Sequence, residues 1–355
     1  ESKHHIMLFA FGFNGDDFSD DETLIKSSKT CNPKQVVEGQ EGASVEPKLH
    51  SLGDILKSLI GVRLTFDNYQ TPNEKIVYRR QLFDVKHQVM TEEDGDANEV
   101  HSILMGNSSE EVDVRKNVYE GGFKLWECSY DLVDKLDALY ENGETQKFDC
   151  LLELGCGTAL PTCYLMLKLF SSNASNPSHF IFSDFNYEVL RLVTVPNILI
   201  HYAATLDPEV LHDLSDSQIP LGNDELLLTP AFLEKFTFDL KERNMDILFV
   251  SGSWGSEFVD LVAPFLPDMI ITSETIYSPD SLPLISDMMV QLFEKSQPYI
   301  GLVAAKQYYF GVGGSVKEFL EDLNSKKPDT MTVETTNNDL GQLKRDIVTL
   351  RPKNR

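Results

Sequence analysis

A doubly wound α/β fold, with a mostly parallel sheet behind an N-terminal α+β extension, is the architecture that this sequence predicts. Three observations carry the prediction. After Asn117, short apolar runs recur at Cys150 to Leu154, Phe180 to Ser183, Ile247 to Ser251, Met269 to Thr272 and Ile300 to Ala305. Each is too short for a helix and leads into turn-forming or helical sequence, which is the pattern of a parallel sheet covered on both faces. A glycine turn, Gly155-Cys156-Gly157, joins the first run to an apolar helix, Pro161 to Phe170, with proline near its start.

The elements follow in order. Residues 1–50 are polar, with an acidic cluster from Asp16 to Glu22 and no sustained period, and are expected to be disordered. Lys3, His4, His5 and Met7 read as added residues ahead of a native start and are set aside. Residues 51–116 are expected to form the extension. A helical stretch at Leu52, Ile55, Leu56, Leu59 and Ile60 precedes two alternating segments, Val62 to Phe66 and Leu82 to Lys86, which read as strands. Thr91 to Asn98 reads as an acidic loop. Residues 117–355 carry the alternating strands and helices, with a second helix beginning at Tyr187 to Leu192. The acidic stretch from Asp207 to Arg243 is expected to be helices inserted beside a substrate cleft.

Composition excludes several function classes. No apolar run approaches the ~18 residues of a membrane span, and no signal peptide is visible. The five cysteines are odd in number and form no C-x-x-C pair, which favours a reducing compartment over a disulfide framework or zinc ribbon. No H-x-x-H or H-E-x-x-H spacing exists, so no metal site is expected, and His87, His179 and His201 read as core or surface residues. Asn107-Ser108-Ser109 and Asn173-Ala174-Ser175 match a glycosylation sequon, but nothing points to secretion. With 56 acidic and 31 basic residues the formal charge is −25. Such a chain repels a phosphate backbone and attracts a basic protein, so direct binding of nucleic acid is not expected. The charge by itself speaks first for solubility.

The strand ends carry the chemistry. Glu153-Leu154-Gly155-Cys156-Gly157-Thr158-Ala159 closes the first apolar run. Glycines there let a ligand approach the backbone, and the following helix offers unpaired N–H groups. A dinucleotide fingerprint would want glycine or alanine where Leu160 stands. The pattern E-x-G-x-G-x-(G/A) is instead that of the seven-stranded methyltransferases, in which the acidic residue helps hold the methionine amino group of the cofactor. Asp184 ends the second strand. Alone it would read as a turn former, but beside the glycine turn it reads as an acceptor for ribose hydroxyls. Ser251-Gly252-Ser253-Trp254-Gly255 offers an indole face to an adenine ring. Ser273-Glu274-Thr275-Ile276-Tyr277 places a carboxylate and a phenol over the reacting methyl.

Longer segments extend the likeness. Asn117 to Cys128, Glu153 to Pro161, Leu190 to Asn197, Ser251 to Gly255, Ser273 to Asp280 and Lys306 to Ser315 span most of the chain. On these segments the sequence resembles the fungal and animal protein-histidine methyltransferases that modify a large-subunit ribosomal protein of the L-three family. Phe9 to Phe13 and Leu82 to Met90 are similar to the fungal branch. Related lysine-directed enzymes carry Asp where Glu274 stands. The resemblance implies a seven-stranded, Rossmann-like methyltransferase sheet and S-adenosyl-L-methionine as cofactor. It implies cofactor contacts at Trp126, Glu127, Cys128, Glu153, Gly155, Gly157, Asp184, Phe185, Asn186, Gly252, Ser253, Trp254 and Ser273. It places Glu274, Tyr277 and Phe310 on the catalytic, substrate side, with Gly311, Gly313 and Gly314 letting the acceptor loop approach. It further implies residence in the cytoplasm and nucleus. A monomer is expected, and the acidic charge favours the free ribosomal protein or an early assembly particle, because assembled ribosomal RNA would repel it.

The chemistry suits these residue types. Methyl transfer from a sulfonium is an in-line displacement that needs a lone pair on the acceptor. A free histidine, with a pKa of about 6.5, is mostly neutral near pH 7, so alignment matters more than a strong base. Glu274, with Tyr277, is expected to orient the acceptor ring, and Tyr277, Phe310 or Trp126 to face the sulfonium. A lysine-directed or small-molecule methyltransferase of the same fold, or a scaffold that binds cofactor without catalysis, are the alternatives.

Overall fold

Alternate residues of one strand pack on opposite faces of the central sheet, which explains the unbroken apolar runs. In the computed structural model, Leu151, Phe180, Phe182, Phe249, Ile271 and Leu302 join one buried cluster, and Leu152, Leu154, Ile181, Val250, Ile270 and Val303 join another. The structure describes residues 45–92, 104, 119, 121–172, 179–215, 220–338 and 344–353. The acidic cluster, both sequons, Asn117, Val118 and Glu120 lie outside the described residues, as does most of the Thr91 to Asn98 loop.

Along the chain come β1 (Lys48–Ser51), α1 (Leu52–Ser58), β2 (Arg63–Gln70), β3 (Ile76–Arg80), α2 (Leu82–Thr91) and α3 (Cys128–Glu141). Then follow β4 (Cys150–Leu154), α4 (Leu160–Phe170), β5 (His179–Asp184), a π-helical segment (Leu190–Thr194) and α5 (Val195–Ala203). The rest are α6 (Pro208–Ser215), β6 (Glu225–Leu227), α7 (Pro230–Glu242), β7 (Asp246–Ser251), α8 (Ser256–Val262), β8 (Met269–Ser273), α9 (Ser281–Lys295), β9 (Ile300–Lys306), α10 (Val316–Lys326), β10 (Met331–Asn338) and β11 (Arg345–Pro352). None of the described helices is long and apolar enough to cross a membrane.

The main sheet runs β1-β7-β5-β4-β8-β9-β11-β10. Strands β7, β5, β4, β8 and β9 are parallel, and β11 and β10 close the far edge antiparallel. The expected doubly wound, mostly parallel sheet is therefore present, with seven strands plus one. The chain reverses direction across the sheet between β4 and β8, so the carboxyl ends of these strands form the crevice where such folds hold ligands.

Three local expectations are corrected. Leu82 to Lys86 is not a strand but the first half of α2, because Leu82, Val85 and Val89 recur at helical spacing and turn one face inward while Phe83 stays exposed. Lys48 to His50 fall in the segment expected to be disordered, yet Lys48–Ser51 pairs antiparallel with β7 as an added edge strand. The insertion from Asp207 to Arg243 is not purely helical. Its β6 pairs with β2 to complete a second sheet, β3-β2-β6, and Phe232 and Phe236 of α7 pack on Tyr202 of α5 at ring distances of 5.8 and 5.0 Å. The extension and the insertion thus share one sheet.

Candidate functional site

Four segments converge on the glycine turn after β4. Gly155 and Gly157 have φ of +60° and +48°, in the left-handed region that favours glycine. A Cβ on Gly155 would stand 2.7 Å from Thr275 Cγ2 and 3.1 Å from Trp254 Cη2, so the loops after β7 and β8 close directly on this turn. A Cβ on Gly157 would meet the Gly122 carbonyl at 3.1 Å, which brings the segment before α3 onto its other side. Thr272 fixes the β8 end by donating to the Leu154 carbonyl at 2.8 Å.

Asp184, buried at the end of β5, holds the turn from beneath. Its Oδ2 accepts from Gly157 N–H at 3.0 Å and its Oδ1 from Asn186 N–H at 3.1 Å. The expected ribose acceptor is therefore also a structural clasp for the glycine turn. Trp254 lies half-buried beside Gly155 and donates its indole N–H to Ser183 Oγ at 3.1 Å, which pins the ring at the β7 end. Phe185 accepts from Gly252 N–H at 3.1 Å through its carbonyl. Gly252 (φ +109°) passes under the N-terminal segment, where a Cβ would meet Glu46 O at 2.7 Å. Ser253 is tied to Val45 twice, donating its N–H to the Val45 carbonyl (2.8 Å) and accepting from Val45 N–H through Oγ (2.9 Å). This strap over the indole loop was missed in the sequence because its pairing partner lies some two hundred residues away.

Glu153 is buried beneath the turn. Burial pushes its carboxyl up to about 8, against smaller opposing pulls from Thr162. Its Oε2 has no hydrogen-bond partner among the described residues, so the site beneath the turn can take a cation. Burial also raises the Cys156 and Cys163 thiols well above their usual range, so neither is a nucleophile.

The second half of the site lies over β8 and β9. Glu274 is buried and has φ of +57°, a left-handed conformation unusual for a side-chain-bearing residue and common at functional sites. Its N–H donates to the Ala304 carbonyl at 2.9 Å, while Oε1 accepts from Cys128 N–H, at the start of α3, at 3.2 Å. The other oxygen, Oε2, has no hydrogen-bond partner among the described residues. Trp126 donates its indole N–H to the Gly121 carbonyl at 3.1 Å, and Glu127 is exposed beside it. Burial, then Glu274, lift the Cys128 thiol well above its usual range. The buried Tyr309 phenol is lifted too, by burial first and by Glu274 and Cys128 after it.

Tyr277 is half-buried and its carbonyl accepts from Gly314 N–H at 3.0 Å. A side chain on Gly314 would collide with the backbone of Ile276 and Tyr277, so glycine is required for the loop after β9 to lie against the loop after β8. Phe310 lies in the same loop after β9. It is 79% exposed in that loop, edge-on to Tyr308 at 5.0 Å. Of the expected cofactor residues, Asp184 and Trp254 stand at the turn formed by Gly155 and Gly157, whereas Trp126, Glu127 and Cys128 stand beside Glu274 and Lys306. Lys306, Tyr309 and Thr275 were missed. A lysine ending an apolar strand, as Lys306 does, was the available signal.

Comparison with known proteins bears on this geometry. No family model matches the chain. The chain is 42% identical to histidine protein methyltransferase 1 of Saccharomyces cerevisiae over 90% of its length and 91% of the relative's. It is 33% identical to histidine protein methyltransferase 1 of Schizosaccharomyces pombe, over 86% of this chain and 85% of that one. Among solved structures, the O-methyltransferase from Bacillus cereus in complex with SAH is similar at a TM-score of 0.38 and 9% identity, over 75% of this chain and 96% of that one, a distance at which it bears on nothing further. The two fungal relatives match nearly end to end, and the chain belongs to the histidine protein methyltransferase 1 family.

Proposed function

We propose that this protein transfers a methyl group from S-adenosyl-L-methionine to an imidazole nitrogen of a histidine on a basic large-subunit ribosomal protein of the L-three type. The observation that carries the reading is the buried, left-handed Glu274 at the switch point of the sheet, with Oε2 unpartnered among the described residues. Support for a histidine of a protein as acceptor comes from the names of the fungal relatives, and support for the ribosomal protein from the resemblance of the sequence segments.

The residues fit the cofactor. The unpartnered Glu153 Oε2 suits an ammonium group, the left-handed glycines leave room beside the backbone, and Trp254 offers an apolar face next to Gly155. Residues Asp184 and Asn186 would hold the sugar, and Trp126, Glu127, Cys128, Phe185, Gly252, Ser253 and Ser273 would complete the surround. When bound, the cofactor supplies an electrophilic methyl on a sulfonium.

The protein's own part is alignment. Glu274 Oε2 accepts the N–H of the acceptor imidazole, which turns the other ring nitrogen, with its lone pair, toward the cofactor side. As that nitrogen is alkylated the ring becomes cationic, and the Glu274 carboxylate stabilises the charge and can take the proton at Oε2. A neutral imidazole needs no prior deprotonation, whereas a lysine would. The formal charge of −25 favours a basic partner that is free or in an early particle, because ribosomal RNA would repel this surface. Residence in the cytoplasm and nucleus, and action as a monomer, belong to the same reading. Labelling with radioactive cofactor, offered separately isolated L-three-type protein and mature ribosomes, tests it. Label is expected on the isolated protein, and equal labelling of mature ribosomes would overturn the free-substrate part.

A further inference from the structure

Lys306 stands where the two halves of the site meet. It is the last residue of β9, and its side chain is largely buried. Its Nζ lies 3.3 Å from Glu127 Oε2, 4.0 Å from Glu274 Oε1 and 5.9 Å from the centre of the Trp126 ring. Trp126 and Glu127 lead into α3 on the cofactor side, whereas Glu274 lies on the acceptor side. One ammonium therefore stands within ion-pair distance of a carboxylate on each side.

The two ion pairs differ in what they can do. Glu127 is exposed, and a pair with it gains little in water. Glu274 is buried, where attraction between charges is several-fold stronger and an uncompensated carboxylate is costly. Oε1 accepts from Cys128 N–H and is the oxygen within ion-pair distance of the ammonium, so the same carboxylate presents two inequivalent oxygens. We infer that Lys306 is the positioning residue of this site, committing Glu274 Oε1 to the protein so that Oε2 faces the acceptor. This rests on the reading of Glu274 as the residue that orients the acceptor ring.

The test compares Lys306→Met, Lys306→Arg, Glu274→Gln and the double variant Lys306→Met/Glu274→Gln in the full chain. Cofactor affinity is read by calorimetry, and kcat and KM by methylation of the isolated acceptor protein. Lys306→Met should lower kcat roughly tenfold or more, the scale of coupling between contacting groups, with cofactor affinity and KM little changed. Lys306→Arg should recover part of the loss, since it keeps the charge with a different shape. The double variant should be no slower than Glu274→Gln alone, because the lysine acts only through that carboxylate. Unchanged kcat in Lys306→Met, parallel loss of cofactor affinity, no recovery with arginine, or additive losses in the double variant would each overturn the inference. No histidine methylation by the unaltered chain would instead defeat the acceptor reading, and with it this one.

Discussion

Asp184 Oδ2 accepts a hydrogen bond from Gly157 N–H at 3.0 Å, so the carboxylate expected to meet a ligand also shapes the turn that receives it. The two roles separate by substitution. Asp184→Ala leaves the buried Gly157 and Asn186 N–H groups without their acceptor and should cost about 1–3 kcal/mol in stability as well as cofactor affinity. Denaturant unfolding beside calorimetric titration checks this. Lost affinity with full stability would remove the clasp.

Gly155→Ala should weaken cofactor binding and destabilise the fold as well. The added methyl would enter the space against Thr275 and Trp254 at a left-handed backbone position. Titration with S-adenosyl-L-methionine and with NAD measures the effect. Unchanged affinity would mean that the turn does not carry the cofactor.

The strap over the indole loop predicts a dependence on distant residues. Deleting residues 1–47 removes both Val45–Ser253 hydrogen bonds and the cover over Gly252. Cofactor affinity should fall while the helical circular dichroism signal and cooperative unfolding persist. Retained affinity would show that the strap is dispensable to the site.

Glu153 predicts how stability varies with pH. Its carboxyl is held at about 8 in the folded chain, above the ordinary 4.5, so the folded state keeps a proton that the unfolded state has lost. This contribution is full below pH 4.5 and declines as pH rises toward 8. His201 works oppositely, because burial lowers it to about 4, so its contribution is full above 6.5 and is lost as pH falls. Between pH 6.5 and 8 the decline is therefore Glu153's, about 2 kcal/mol without cofactor. Glu153→Gln should flatten that slope in a series of melts. An unaltered slope would contradict the burial argument.

The five parallel strands were legible because Leu151 and Leu152, or Ile270 and Ile271, face opposite buried layers, which leaves a continuous apolar run. The glycine turn was legible because Gly155 and Gly157 are needed for close approach. Pairings between distant segments were not. Strand β1 acquires meaning only from β7, and β6 only from β2. Helix α2 was misread because Leu82 to Lys86 is too short to separate period two from period 3.6 without Val89. Glu274 was found by its place after a strand, but its left-handed backbone and its tie to Cys128 arise from packing by β9 and α3.

The most direct measurement is residue-level analysis of the acceptor. Isolated L-three-type ribosomal protein is incubated with labelled S-adenosyl-L-methionine and either the unaltered chain or Glu274→Ala, then hydrolysed and its amino acids separated. The account predicts label in methylhistidine at one position with the unaltered chain, and turnover reduced far more than cofactor affinity in Glu274→Ala. Label recovered on lysine, or full turnover by Glu274→Ala, would contradict it.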